Sequence, residues 1–269
     1  MSKSITYSIY YPGGNTTALV EGVNFDQQAK KRINDRLMQV EPSVEQVGFY
    51  SSKRSLDLQM AGGEFCGNAA RSMAMARYSG RSFRTKIQVS GVTRPIEVGV
   101  DEQGLAWSEI PVKPGLPPVQ KVSNSTFVVN LEGISQVVVL VPNITDIRSK
   151  APQKIKQDAY RMLERLDLTE TESAAGIIYV ESASQVAVIV PVVWVRAIQT
   201  LFVETACGSG SMAVALQQAF TTNNNLTMRV QQPSGEIITA TVAINSGQIA
   251  QATIAGSVQL LKKGVLYVK

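Results

Sequence analysis

The sequence predicts an α+β protein built by duplication: two mostly stranded halves, each folded around one buried helix, with a cleft between them. Three observations predict it. The stretch Glu64-Phe65-Cys66-Gly67-Asn68-Ala69-Ala70-Arg71 has its chemistry repeated half a chain later in Glu204-Thr205-Ala206-Cys207-Gly208-Ser209-Gly210-Ser211, and these hold the only two cysteines. Each cysteine follows a β-rich apolar lead-in and opens a helix of small residues with little or no charge, a composition that belongs inside other structure. The surrounding elements recur in the same order on either side of Lys113-Pro114-Gly115-Leu116-Pro117-Pro118, a linker-like stretch near the midpoint.

In the first half, Ile5 to Tyr11 alternates as a strand, Pro12-Gly13-Gly14-Asn15 turns, and Thr16 to Val20 is a second strand. Asp26 to Val40 is an amphipathic outer helix, capped by Asn24 or Asp26, with Ala29, Ile33, Leu37 and Val40 on one face. Strands at Glu45 to Tyr50 and Ser55 to Met60 deliver the chain to the first cysteine, and the helix from Gly67 to Tyr78 ends near Gly80. Thr85 to Gly91, Pro95 to Val100 and Gly104 to Pro111 continue as strands.

The second half repeats the series. Strands at Thr126 to Leu131 and Gln136 to Val141 precede an outer helix from about Ala151 to Leu166, striped by Ile155, Ala159, Met162, Leu163 and Leu166. Gly176 to Glu181 and Gln185 to Val195 lead to the second cysteine; the latter, interrupted by Pro191, reads as buried strand and not as a membrane span. The uncharged helix from Gly208 to Phe220 is expected to be covered on every side. Strands within Thr227 to Val242 and Gln248 to Val258 follow, and Val265 to Val268 is an extra strand able to close either half. The expected halves are residues 1–116 and 117–259.

With 44% hydrophobic residues the chain can bury a substantial core. Its net charge of +5 is scattered and aromatics are only 6%, which excludes a nucleic-acid surface with stacking platforms. No signal peptide is recognised, so the expected location is the cytoplasm and a structural disulfide is not called for. Two thiols without a Cys-x-x-Cys spacing, in a chain with no histidine, fall short of a zinc ligand set. The missing histidine also excludes Cys-His and Ser-His-Asp hydrolases, and no phosphate-binding loop suits a pyridoxal cofactor.

A cysteine at a helix N-terminus sits where unpaired N–H groups and the helix dipole favour a thiolate or a bound carboxylate. Two such sites facing each other form a two-thiol proton-transfer pair. One thiolate takes a proton from one face while the opposite thiol returns one, and the N–H groups around Gly67, Asn68, Gly208, Ser209 and Gly210 hold an anion. Glu64 and Glu204 precede the thiols as either substrate ligands or solvated strand ends. Asn15 stands just past a bend, a turn former on its own evidence, while Asp57, Gln59 and Trp194 are candidates for a side-chain pocket, Trp194 more naturally for the core.

Asn15 after a Gly turn, the Cys66-Gly67-Asn68 turn and the Ala206-Cys207-Gly208-Ser209-Gly210 turn together resemble the diaminopimelate epimerase fold, the cofactor-independent two-cysteine racemases. Tyr11-Pro12-Gly13-Gly14-Asn15-Thr16, Glu45-Gln46-Val47-Gly48-Phe49, Gly63 to Ala69 and Gln232-Pro233-Ser234-Gly235 are similar to the histidine racemase subgroup. The resemblance implies two pseudo-symmetric domains, each a mostly antiparallel β-barrel wrapped around its central helix, and a C-terminal strand (260–269) that returns to the first. It also implies a homodimer and no cofactor. Its catalytic pair would be Cys66 and Cys207, its substrate ligands Asn15, Gly67, Asn68, Gly208, Ser209, Gly210 and Glu204, and its substrate a free amino acid, with no metal, nucleic acid or membrane involved.

Two departures from diaminopimelate epimerases bear on the substrate. No Arg lies between Ala197 and Cys207, and Gly133-Ile134-Ser135-Gln136 stands where a Gly-Asn-Pro-His turn is expected. A distal carboxylate without its bidentate Arg is poorly held, so histidine is favoured over diaminopimelate or another neutral or basic amino acid. A phenazine-biosynthesis-type isomerase, which carries a carboxylate in place of the first thiol, is disfavoured by Cys66. A non-catalytic amino-acid-binding protein and a redox-responsive thiol pair complete the alternatives.

Overall fold

A computed structural model describes residues 3–22, 25–51, 57–182, 186–245 and 247–268. Asn24 as a cap, Ser55 and Leu56 as strand residues and Gln185 as a strand start lie outside the described residues. The architecture is mixed α+β, strand-rich with few helices.

In the first half, Lys3–Tyr11 pairs antiparallel with Thr17–Glu21, which pairs parallel with Gln46–Tyr50. That strand pairs antiparallel with Asp57–Met60, which pairs parallel with Phe83–Val89, and Ile96–Val100 and Ala106–Glu109 add antiparallel. The second half runs through the same directions: Thr126–Leu131 antiparallel to Ile134–Leu140, then parallel to Ala174–Ser182, antiparallel to Val186–Val195 and parallel to Leu226–Gln231. Ile237–Asn245 and Gln248–Gly256 finish it antiparallel, and Gln248–Gly256 pairs with Ala106–Glu109 to join the halves.

Each parallel step requires a crossover, and the helices supply them. The outer ones are Gln27–Val40 and Pro152–Arg165, the latter flanked by the short helices Thr145–Arg148 and Leu168–Thr171. Asp26 caps the first by accepting from Ala29 N–H at 2.7 Å, and Pro152 starts the second where its missing N–H costs nothing. Ile33 and Leu37 in one and Ile155, Ala159 and Leu163 in the other face inward, whereas Val40, at the end of its helix, is exposed. The inner crossovers are the cysteine helices Gly67–Ala76 and Gly208–Thr222. Every residue from Gly67 to Ala74 is buried, as are all of Gly208 to Gln217, which is why neither tolerates a charged stripe.

Three differences from the sequence reading have local causes. Thr200–Val203 is a strand of its own, too short to separate from the apolar run before it; it is set off by Gln199 at φ 55°. It also explains how Pro191 sits inside a sheet: Val186–Val195 hands over there from Leu226–Gln231 to Thr200–Val203. The linker-like stretch is pinned to the second half, with Lys113 N–H on Asn130 O (2.9 Å) and Asn130 Nδ2 on Pro117 O (2.7 Å). The last strand is longer than Val265 to Val268: Gln259–Val268 pairs antiparallel with Lys3–Tyr11 along its length. No helix among the described residues is long and apolar enough to cross a membrane.

Candidate active site

Both cysteines are free thiols at the N-cap of their helices, with nearly identical backbone: φ −133°, ψ 109° for Cys66 and φ −135°, ψ 109° for Cys207. This extended geometry turns each Sγ back over the first helical turn, where it accepts a third-position N–H, Ala69 for Cys66 and Gly210 for Cys207, both at 3.4 Å. The first- and second-position N–H groups have no intrahelical partner. Those of Gly67, Asn68, Gly208 and Ser209 therefore stay available, and all four residues line one narrow cavity shared with both thiols. Gly210 does not line it, and its N–H is spent on Cys207 Sγ.

The two helix starts meet closely. A Cβ on Gly208 would lie 2.6 Å from Ile254 Cδ1 and 3.1 Å from Asn68 Oδ1. Asn68 spans the junction, donating to Ala206 O at 3.3 Å while its Oδ1 accepts from Arg71 Nη2 at 2.9 Å. Arg71, wholly buried, also binds Pro12 O at 2.7 Å, tying the Pro12-Gly13-Gly14-Asn15 turn to the Cys66 helix. Gly14, at φ +104°, lets that turn rest on the opposite half, since a Cβ there would fall 2.8 Å from Thr205 O. Gln232 holds the Cys207 turn: its Oε1 accepts from Cys207 N at 2.8 Å and its Nε2 donates to Ser211 Oγ at 2.9 Å.

Asn15 is buried at φ 49° and lines the cavity together with Glu204, so it is a site residue as well as a turn former. Glu64 and Glu204 are not solvated strand ends. The Oε2 atom of each is buried without a hydrogen-bond partner. Burial holds Glu64 up at about 7 and Glu204 up at about 8, from an ordinary carboxyl value. Burial, with the charges of Glu204 and Glu64 added, pushes Cys66 up to about 12, and burial with Glu204 beside it drives Cys207 well above an ordinary thiol. An acidic, desolvated site of this kind keeps its thiols neutral until positive charge arrives.

Glu45 and Gln46, which the sequence marked only as part of a motif similar to the histidine racemases, carry site contacts. Glu45 accepts from Thr205 N at 3.0 Å and also from Thr205 Oγ1, which in turn accepts from Asn15 N at 2.6 Å, so three residues clasp the halves across the cleft. Gln46 accepts from the Cys66 thiol at 3.0 Å. The apolar wall comes mostly from the second half, Val193 and Val195 with Ile134, Ile198 and Phe202, joined by Phe65 from the first. Trp194, between those valines, faces the other way and packs edge-on against Tyr160 in a separate core. Gln59 is held by Lys30 Nζ, and neither it nor Asp57 lines the cavity. The space open to the centre of a water molecule in this cavity is about 40 Å³.

A family profile described as "Histidine racemase CntK N-terminal domain" matches residues 4–267. The chain belongs to that family. Histidine racemase from Fusobacterium nucleatum subsp. nucleatum is 27% identical over 212 residues, 76% of this chain and 77% of its own length. Histidine racemase from Staphylococcus aureus strain Mu50 is 24% identical over 280 residues, 98% of each chain. Among solved structures, a hydroxyproline epimerase from Agrobacterium vitis, crystallised with bound trans-4-hydroxy-L-proline, superposes with a TM-score of 0.63 at 10% identity, covering 98% of this chain and 93% of that one. At that identity it shows the fold alone. Membership of the histidine racemase family makes the chain an amino acid racemase, an isomerase.

Proposed function

We propose that the substrate is histidine, and that Cys66 and Cys207 invert it from opposite faces of the α-carbon without a cofactor. The observation that carries this reading is the pair of glutamates, Glu64 and Glu204, each with one buried, unpartnered oxygen, at a cavity that both thiols border. A buried acceptor left without a donor is costly. Histidine brings two donor groups, its ammonium and its imidazole N–H, while among the described residues no Lys or Arg lines the cavity. A substrate with a distal carboxylate would face Glu45, Glu64 and Glu204 and be repelled.

The α-carboxylate is then assigned to the free N–H groups of Gly67, Asn68, Gly208 and Ser209 at the two helix starts. Asn15 is assigned to orienting Glu204. Binding of the cationic substrate offsets the acidic surroundings and lowers the cost of a thiolate. One cysteine, as thiolate, takes the α-proton; the developing negative charge passes toward the carboxylate held by the N–H groups; the other cysteine gives its proton to the opposite face.

The halves are read as residues 1–116 and 117–259, two pseudo-symmetric barrels around the cysteine helices, with the strand after them returning to the first. The repeated order of pairing directions supports that reading.

The test is deuterium incorporation at the α-carbon in heavy water under reducing conditions, with chiral analysis, across a panel containing L-histidine, D-histidine and LL-diaminopimelate. Incorporation with inversion for histidine and none for diaminopimelate is expected. Inversion of another amino acid in preference to histidine would overturn the substrate assignment.

A further inference from the structure

We infer that the two thiols are wired unequally, so that Cys207 is the first to ionise and Cys66 the one that keeps its proton. The inference rests on the racemase reading only for its mechanistic use; the wiring itself is a property of the resting protein.

At Cys66 the partner is a pure acceptor. The Thr17 hydroxyl gives its only proton to Asn15 O at 3.0 Å, so toward Gln46 it can only accept, and it takes Nε2 at 2.8 Å. That locks the Gln46 amide with Oε1 toward Cys66, 3.0 Å from Sγ. An amide oxygen there binds S–H and opposes S⁻.

At Cys207 the order is reversed. Gln136 Nε2 donates to Ser209 Oγ at 2.8 Å, which leaves the Ser209 proton for Cys207 Sγ at 3.5 Å. Gln136 is wholly buried and fits against Gly176, where a Cβ would lie 2.2 Å from its Oε1. The helix-cap N–H groups, equal at 3.4 Å, do not discriminate between the thiols.

The charged neighbours act on both thiols. Glu64 and Glu204 oppose ionisation of Cys66, and Glu204, with Glu45 beside it, opposes ionisation of Cys207. Arg71 favours ionisation on the Cys66 side. These charges bear on both thiols, so the difference between the thiols lies in the hydrogen bonds to Gln46 and Ser209.

In turnover, Cys207 S⁻ takes the α-proton and becomes S–H, while Cys66 gives its proton to the opposite face and becomes S⁻. No electrons are exchanged with an outside group. Product leaves the mirror form, with a thiolate against Gln46 Oε1, and that mismatch resets the pair: Cys66 takes a proton from solvent and Cys207 gives one up to it.

The experiment is a ¹³C NMR titration of substrate-free protein labelled at cysteine Cβ, which yields two resonances because there are two cysteines; Cys66→Ser assigns them. The Cys207 signal is expected to titrate at the lower pH. Ser209→Ala should raise its midpoint and Gln46→Met should lower that of Cys66, each by about one pH unit, the worth of one hydrogen bond. Wild-type signals that titrate together, or Cys66 first, would overturn the wiring whatever the variants do. Histidine racemisation assayed on the same wild-type sample separates the two readings: ordered thiols without racemisation leave the wiring standing and remove the function, and racemisation with unordered thiols does the reverse.

Discussion

Cys66 and Cys207 leave their strands within 2° of the same φ and at the same ψ, and each accepts one cap N–H at 3.4 Å. Around this shared backbone the side chains differ: Gln46 and Thr17 on one side, Ser209, Gln136 and Glu204 on the other. Backbone geometry thus sets where each sulfur lies, and neighbouring side chains set which proton state it holds. Position and ionisation are separately tunable in such a turn.

The largest effect should come from removing either sulfur. Cys66→Ala and Cys207→Ala are each expected to lower kcat for histidine by roughly 10²–10⁴-fold, the range of a positioned acid or base, measured by chiral chromatography; unequal losses would reveal unequal roles. Next come the carboxylates. Glu64→Gln and Glu204→Gln should raise KM about 10–100-fold, the loss of one charged hydrogen bond, and an unchanged KM for both would end the carboxylate assignment.

Gly14→Ala touches only the Cys207 side. With φ at +104° and Thr205 O 2.8 Å from the added carbon, a stability loss of about 1–3 kcal/mol is expected from denaturant unfolding. Stability should also depend on pH. Both glutamates titrate higher folded, at about 7 and about 8, than their ordinary value of 4.5, so the folded state binds more protons than the unfolded one above that value. Their contribution is fully present below 4.5 and is lost as pH rises, up to about 7 for Glu64 and about 8 for Glu204. Melting temperatures between those limits should fall with pH, and each Gln variant should flatten its own part of the slope. Smallest of all, Trp194→Phe should leave KM within about twofold, because the ring packs in the separate core.

The cysteine turns were legible because both the thiols and the small-residue helices are rare patterns, and the outer helices because an apolar stripe repeats every three or four residues. Glu45 and Gln46 stood in a motif similar to the histidine racemases, but their roles were not legible: those come from Thr205 and Cys66, partners that a linear reading does not bring together. Asn15 lay between these cases: its turn was visible, but the burial that makes it a site residue is supplied by the opposite half. Thr200–Val203 was missed for lack of length, four residues being too few for alternation to register.

The pairing of Lys3–Tyr11 with Gln259–Val268 has a consequence for how the chain comes off the ribosome. The strand at 3–11 is made first and its outer partner some 250 residues later, about 15–50 s at ordinary elongation rates. Throughout that interval the first half carries an open sheet edge, the kind that invites pairing with other chains. The second half, whose strands from 126 to 256 include no such late partner, can close earlier. Nascent-chain aggregation and chaperone demand should therefore concentrate on the first half, and a mutation that weakens the last strand should lower yield more than it lowers the activity of the protein that does fold.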